Sequence, residues 1–170
     1  MKTIIGYHFT GSKLTNGDPI PPVGVWLTHT GEVVPCRAGL HASEHPFDAL
    51  NFAPGNLLHH VELRGELVSH GDPPDKWVGR ERKILKTIDA EKLLRRFACD
   101  QALSVIHLWD APRVVCDYLT NPMEKTRIAA WAACAAGAAG DAAAACAAGD
   151  AGDAVRHSFL KRVKKEFGGK

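Results

Sequence analysis

The sequence predicts an α+β domain followed by a helical arm, and three observations carry that reading. Runs at 3–9, 57–68 and 82–88 are rich in β-branched and aromatic residues or set apolar against polar positions, as strands do. Between and after them lie stretches with helical spacing and helix start signals. The end of the chain is then dominated by one residue type: sixteen of the 26 residues from Ala129 to Ala154 are alanine. With 170 residues there is room for one domain plus an appendage, so the expected division is 1–121 for the compact domain and 122–170 for the arm. A chain 45% hydrophobic and 24% charged is neither disordered nor collagen-like.

Each element follows from local chemistry. Thr3–Phe9 (TIIGYHF) is the first strand, and Leu14–Gly24 is a loop because it holds Asn16-Gly17-Asp18 and three prolines. Val25–Leu27 and Glu32–Val34 are short strands around Thr30-Gly31, and Gly39–Ser43 is another. Ser43 reads as the N-cap of a helix to about Ala53, with Glu44 and Pro46 near its start and Pro54-Gly55 ending it. Leu57–Val68 is the longest strand signal, with Gly65 as a bulge or bend. Alternation sends His59 and His60 to opposite faces. After a turn-rich loop at 69–75 comes the strand 82–88, with Glu81 at its start. Asp89 then caps a helix to about Ala98, Ala102–Trp109 has helical spacing, and Pro112–Leu119 is a third helix stopped by Asn121-Pro122. From Glu124 onward one long helix is expected, since alanine is the best helix former. Within it Cys134, Gly137, Gly140 and Asp141 recur twelve residues later as Cys146, Gly149, Gly152 and Asp153, a smooth face suited to close packing on a partner helix or a second copy.

The net charge of +2 does not by itself imply nucleic-acid binding, but it is uneven. The residues after Val155 carry +5 and the remainder −3. A short basic tail can touch phosphates, and cations also sit well at a helix C-terminus. The alanine block is not a membrane span, because Asp141, Asp150 and Asp153 interrupt it. Five cysteines without a CxxC pair, and no leader segment, point to a reducing cytoplasm rather than a disulfide framework.

Chemistry has few places to sit. No GxSxG elbow, P-loop or GxGxxG fingerprint is present. His8, His41 and His59 with Glu81 or Glu62 could supply metal ligands, but without a fixed motif no metal is expected. These residues lie at strand ends beside glycine-bearing turns, where a β scaffold presents side chains to a cleft.

The order of motifs resembles a known fold. Tyr7-His8-Phe9-Thr10, then Gly39-Leu40-His41-Ala42-Ser43-Glu44, Asp48-Ala49-Leu50-Asn51-Phe52, Val61-Glu62-Leu63-Arg64-Gly65 and Glu81 before Arg82-Lys83-Ile84-Leu85 are similar to the successive motifs of the ADP-ribosyltransferase fold. The likeness is to the poly-ADP-ribose polymerase and RNA 2′-phosphotransferase type, over about residues 4 to 90. The pattern GLHAS…DALNFAPG, VGRER and HLWDAP also looks like an uncharacterised domain common in bacteriophage genomes. The resemblance implies a split antiparallel sheet, NAD as substrate, and ADP-ribosyl transfer or NAD glycohydrolysis. It implies that His8 orients the nicotinamide ribose, that His41 stacks on nicotinamide, and that Glu81 stabilises the oxocarbenium-like ribose. Tyr7, Thr10, Ser43 and Phe52 would complete the cofactor site. Phe9 stands where the first motif has glycine, which would narrow the pocket, and the short spacing from Phe52 to Glu81 would reduce the acceptor-binding loop.

Two functions are therefore expected to compete. One is an NAD-dependent transferase acting on a host protein or nucleic acid. The other is a non-catalytic phage binding protein of the same fold that engages such a partner, with the arm available for self-association.

Overall fold

A computed structural model describes residues 2–137 and 152–168. A mixed α+β architecture with a five-stranded antiparallel sheet results. The strands are β1 (Thr3–Thr10), β2 (Trp26–Thr28), β3 (Leu40–Ala42), β4 (Leu57–His70) and β5 (Lys76–Asp89). The spatial order is β1-β4-β5-β2, with β3 also on β5. One edge of β5 runs along β4, while the other takes β3 at 77–79 and then β2 at 81–83. Serving both partners explains why β5 begins six residues earlier than the apolar signal at 82–88. Glu81 is accordingly mid-strand rather than at its start. The run Glu32–Val34 forms no strand and contributes only the bridge of Val34 to Ala38.

Two bulges shape β4 and β5. The register slips between Arg64 and Leu67, where Gly65 adopts φ +88, a conformation that costs glycine little. This is the bend anticipated at Gly65. A second slip follows His60. Across the top, Tyr7 and Ser43 exchange backbone hydrogen bonds of 2.7 and 2.9 Å, so β3 is tied to β1 as well as β5. Gly6 makes this approach possible, because a Cβ there would lie 2.6 Å from the Ser43 carbonyl oxygen.

The first helix, α1 (Pro46–Leu50), is capped by His45 instead of Ser43. The His45 Nδ1 accepts from the Phe47 N–H, and Ser43 is already committed to the bridge with β1. Downstream, α2 (Glu91–Ser104) is one continuous helix where two were expected, followed by a 3₁₀ turn at Ile106–Leu108. Asp89 caps it, its Oδ1 accepting from the Glu91 N–H at 2.9 Å. The remaining helices among the described residues are α3 (Arg113–Thr120), α4 (Glu124–Gly137) and α5 (Gly152–Glu166). The middle of the alanine-rich segment, 138–151, lies outside the described residues, and so does the smooth helix face expected there.

The chain forms two compact units, 1–91 with 159–170, and 92–158. In the first unit, Ile4, Ala42, Val61, Leu63 and Ile84 form a core, with Ile20, Leu40, Leu67 and Trp77 packed on it. The end of the chain belongs to this unit as well. Phe159 and Val163 are fully buried, Phe159 meets Phe47 edge-on, and the Phe167 ring lies 5.7 Å from His60 and 6.2 Å from Tyr7. Within the second unit, Arg95 and Arg127 both bond Glu124, and Arg96 donates to the Thr120 carbonyl.

Gly6→Ala is expected to lower unfolding stability by about 1–3 kcal/mol, the usual cost of forcing atoms into a packed contact. A urea midpoint unchanged from wild type would show that β3 does not depend on this approach.

Candidate functional site

Beside the Tyr7–Ser43 bridge, the first unit holds a cleft. It has a volume of about 410 Å³ and is lined by Tyr7, His8, His41, Ser43, Phe52 and Lys76, among others. A contiguous groove of about 490 Å³ shares His8, Thr15, Cys36 and His41 with it and adds Leu27, Arg37 and Arg82. Five of the seven residues expected from the sequence, Tyr7, His8, His41, Ser43 and Phe52, therefore line one cleft, although Tyr7 and His8 are neighbours on β1 and the Tyr7 ring lies beside His60 and Phe167. Phe9 borders the cleft but is 1% exposed and packs inward, so the pocket stays open.

Thr10 and Glu81 lie elsewhere. The buried Thr10 hydroxyl donates to the Gly11 carbonyl at 2.9 Å and so accepts from His59 Nε2 at 2.8 Å. His59 Nδ1 then accepts from the Thr87 hydroxyl at 2.8 Å. Both ring nitrogens are used, and one tautomer of neutral His59 satisfies the whole chain. Glu81 binds Arg64 through two hydrogen bonds, of 2.8 and 3.3 Å, and the Arg64 guanidinium lies 3.8 Å from the Trp26 ring centroid. Register puts Glu81 opposite Arg64 and Thr28, whereas Arg82 lies opposite Leu63 and Leu27. Neighbours on a strand point to opposite faces. Arg82 therefore faces the groove with Leu27, and Glu81 faces away.

Arg82 is the residue that sequence reasoning missed. It is 6% exposed, and its Nη1 donates to the His41 carbonyl at 2.8 Å. Burial pushes its pKa down to about 10, which still leaves it charged at neutral pH. Its charge acts on every imidazole nearby. His8 is held well below the usual histidine range by burial first, then by Arg82, His59 and His41. His41 is lowered to about 4 by burial, then by Lys76, Arg82 and His29. His59 is lowered to about 4 by burial and Arg82. All three are neutral at pH 7. Among the described residues, the His41 Nε2 is the one side-chain nitrogen or oxygen that is fully buried without a hydrogen-bond partner. Among the described residues, no Asp or Glu lines the cleft or the groove, and no three His, Cys, Asp or Glu side chains are placed to hold a metal ion.

The sequence signal for Arg82 was available in Arg80-Glu81-Arg82. Alternation allows either Glu81 or its neighbours to face a cleft, not both.

A family model described as a domain of unknown function (DUF7666) matches residues 4–96. The chain belongs to this family. The DUF7666 match spans β1 to the start of α2 and contains every cleft residue named above. No curated protein and no solved structure matches the chain. Among the described residues, no helix is long and apolar enough to cross a membrane.

The buried histidines make the DUF7666 domain acid-sensitive. A neutral buried imidazole that must charge on unfolding makes stability fall as pH drops from about 6.5, its unfolded value, to about 4, its folded value. For the fully buried His59 this amounts to roughly 3 kcal/mol. Urea unfolding at pH 7 and pH 4.5 should show a steeper loss for wild type than for His59→Asn. Equal slopes would mean that His59 titrates normally in the fold.

Proposed function

We propose that the DUF7666 cleft binds NAD, or a nucleotide of the same build, and holds it without carboxylate-assisted ADP-ribosyl transfer. The observation that supports this reading is the makeup of the cleft: Tyr7, His8, His41, Ser43 and Phe52 gathered together, with no carboxylate among them. Flat rings suit a planar nicotinamide, with stacking worth about 1 kcal/mol per ring pair. The neutral imidazoles of His8 and His41 can bond ribose hydroxyls and carboxamide as donor or acceptor.

The same features argue against turnover. A histidine with a pKa of about 4 is a weak general base at pH 7, because the best catalytic pKa lies near the working pH. Stabilising a developing positive charge on ribose requires a negative group aimed at it. The cleft instead presents cations, and Glu81 is held by Arg64 on the other face of the sheet. In this reading the domain is a binding module, and the resemblance to phage proteins adds the expectation that it engages a host protein or a nucleic acid.

Isothermal titration with NAD tests the reading. Saturable binding is expected, weakened about fivefold by Phe52→Ala, as a lost ring contact implies, and unchanged by Glu81→Gln. Release of nicotinamide in the presence of host lysate, abolished by Glu81→Gln, would restore the transferase reading. Absence of any NAD binding would overturn both.

A further inference from the structure

The cleft presents Lys76 and the adjoining groove presents Arg82, with no Asp or Glu among the described residues that line them. Arg82 is 6% exposed and Lys76 is 7% exposed. The Lys76 ammonium lies 3.6 Å from the Phe52 ring centroid, and Arg82 gives one hydrogen bond to the His41 carbonyl. Neither makes a salt bridge, although seven others join acidic and basic side chains elsewhere among the described residues. A ring face and a carbonyl supply attraction but no negative charge. The unbonded nitrogens of Arg82 and Lys76 stay open to solvent, since His41 Nε2 is the one fully buried side-chain nitrogen or oxygen without a partner among the described residues, so both cations can meet a ligand.

Position adds to this. Lys76 and Arg82 are six residues apart on β5, about 20 Å along an extended strand. The Arg82 side chain extends back to the His41 carbonyl, and His41 is paired with Val78, between the two. His41 lines both the cleft that contains Lys76 and the groove that contains Arg82. Its Nε2, buried and without a partner, is a third polar atom at the same place.

We propose that this is a diphosphate site: one phosphoryl group on Arg82, the other on Lys76, with His41 Nε2–H donating between them. Charge selects the ligand class. Two fixed cations, with the exposed Arg37 at the rim, match the two or more negative charges of a diphosphate better than the single charge of a carboxylate. Arg82 keeps four N–H donors after bonding His41, enough to bind a phosphoryl group through two parallel hydrogen bonds. The proposal rests on the nucleotide reading above only for what the diphosphate is attached to, since the anion site stands on Lys76, His41 and Arg82 alone.

Titration with inorganic pyrophosphate, inorganic phosphate and acetate at fixed ionic strength tests it by calorimetry and by thermal unfolding. Pyrophosphate should bind and raise Tm, phosphate should bind at least tenfold more weakly, and acetate should do neither. Lys76→Met and Arg82→Met should each weaken pyrophosphate at least tenfold, while Lys92→Met, on an exposed helix position of the second unit, should leave it unchanged. If Arg82→Met does not fold, Lys76→Met still decides the matter. No pyrophosphate binding to wild type, or binding unaffected by Lys76→Met, overturns the site. Pyrophosphate binding without NAD binding removes the NAD reading and keeps the site. NAD binding indifferent to both substitutions keeps that reading and removes the site.

Discussion

The hydrogen bond from the buried Arg82 guanidinium to the His41 carbonyl is the contact on which the cleft depends. It fastens β5 to β3 from inside the fold, close to the backbone bridge that fastens β3 to β1. It also places a permanent positive charge among three histidines. That charge, added to burial, keeps His8, His41 and His59 neutral at pH 7. Neutral imidazoles pack against one another without repulsion, and the His8 and His59 rings stack at 6.4 Å. A cleft built this way is suited to hydrogen-bonding and anion binding, and poorly suited to proton transfer near neutral pH.

The two faces of the sheet divide the chemistry between them. On one face Glu81 and Glu62 meet Arg64 and Lys83, with Trp26 beneath both cations. Those partly exposed pairs neutralise each other. On the other face Arg82 has no such partner among the described residues. The division follows from one-residue alternation along β5, and it decides which of two adjacent charged residues can meet a ligand. Architecture alone therefore says little about activity, because a single side-chain orientation decides whether a carboxylate or a guanidinium faces the groove.

Much of the fold was legible in local chemistry. The β1 strand, the bend at Gly65, the cap at Asp89 and α3 all follow from side-chain pattern and turn residues. The misread parts share a cause, which is long-range pairing. Residues 76–81 of β5 carry little apolar signal of their own and are strand because β3 and β4 flank them. Ser43 looks like a helix cap, but its backbone is taken by Tyr7 across the cleft. Among the candidate residues, the order of motifs singles out Tyr7, His8, His41, Ser43 and Phe52, which line one cleft. Thr10 was drawn into the His59 network, and Arg82 was passed over because a charged strand residue reads as surface until its face is known.

The measurement that bears most directly on this account is a crystal structure of the protein grown with pyrophosphate near pH 7. The account predicts phosphoryl oxygens within about 3 Å of the Arg82 guanidinium, the Lys76 ammonium and His41 Nε2. An anion seated instead on the lysines of the C-terminal helix, with Arg82 paired to a carboxylate of its own chain, would contradict it.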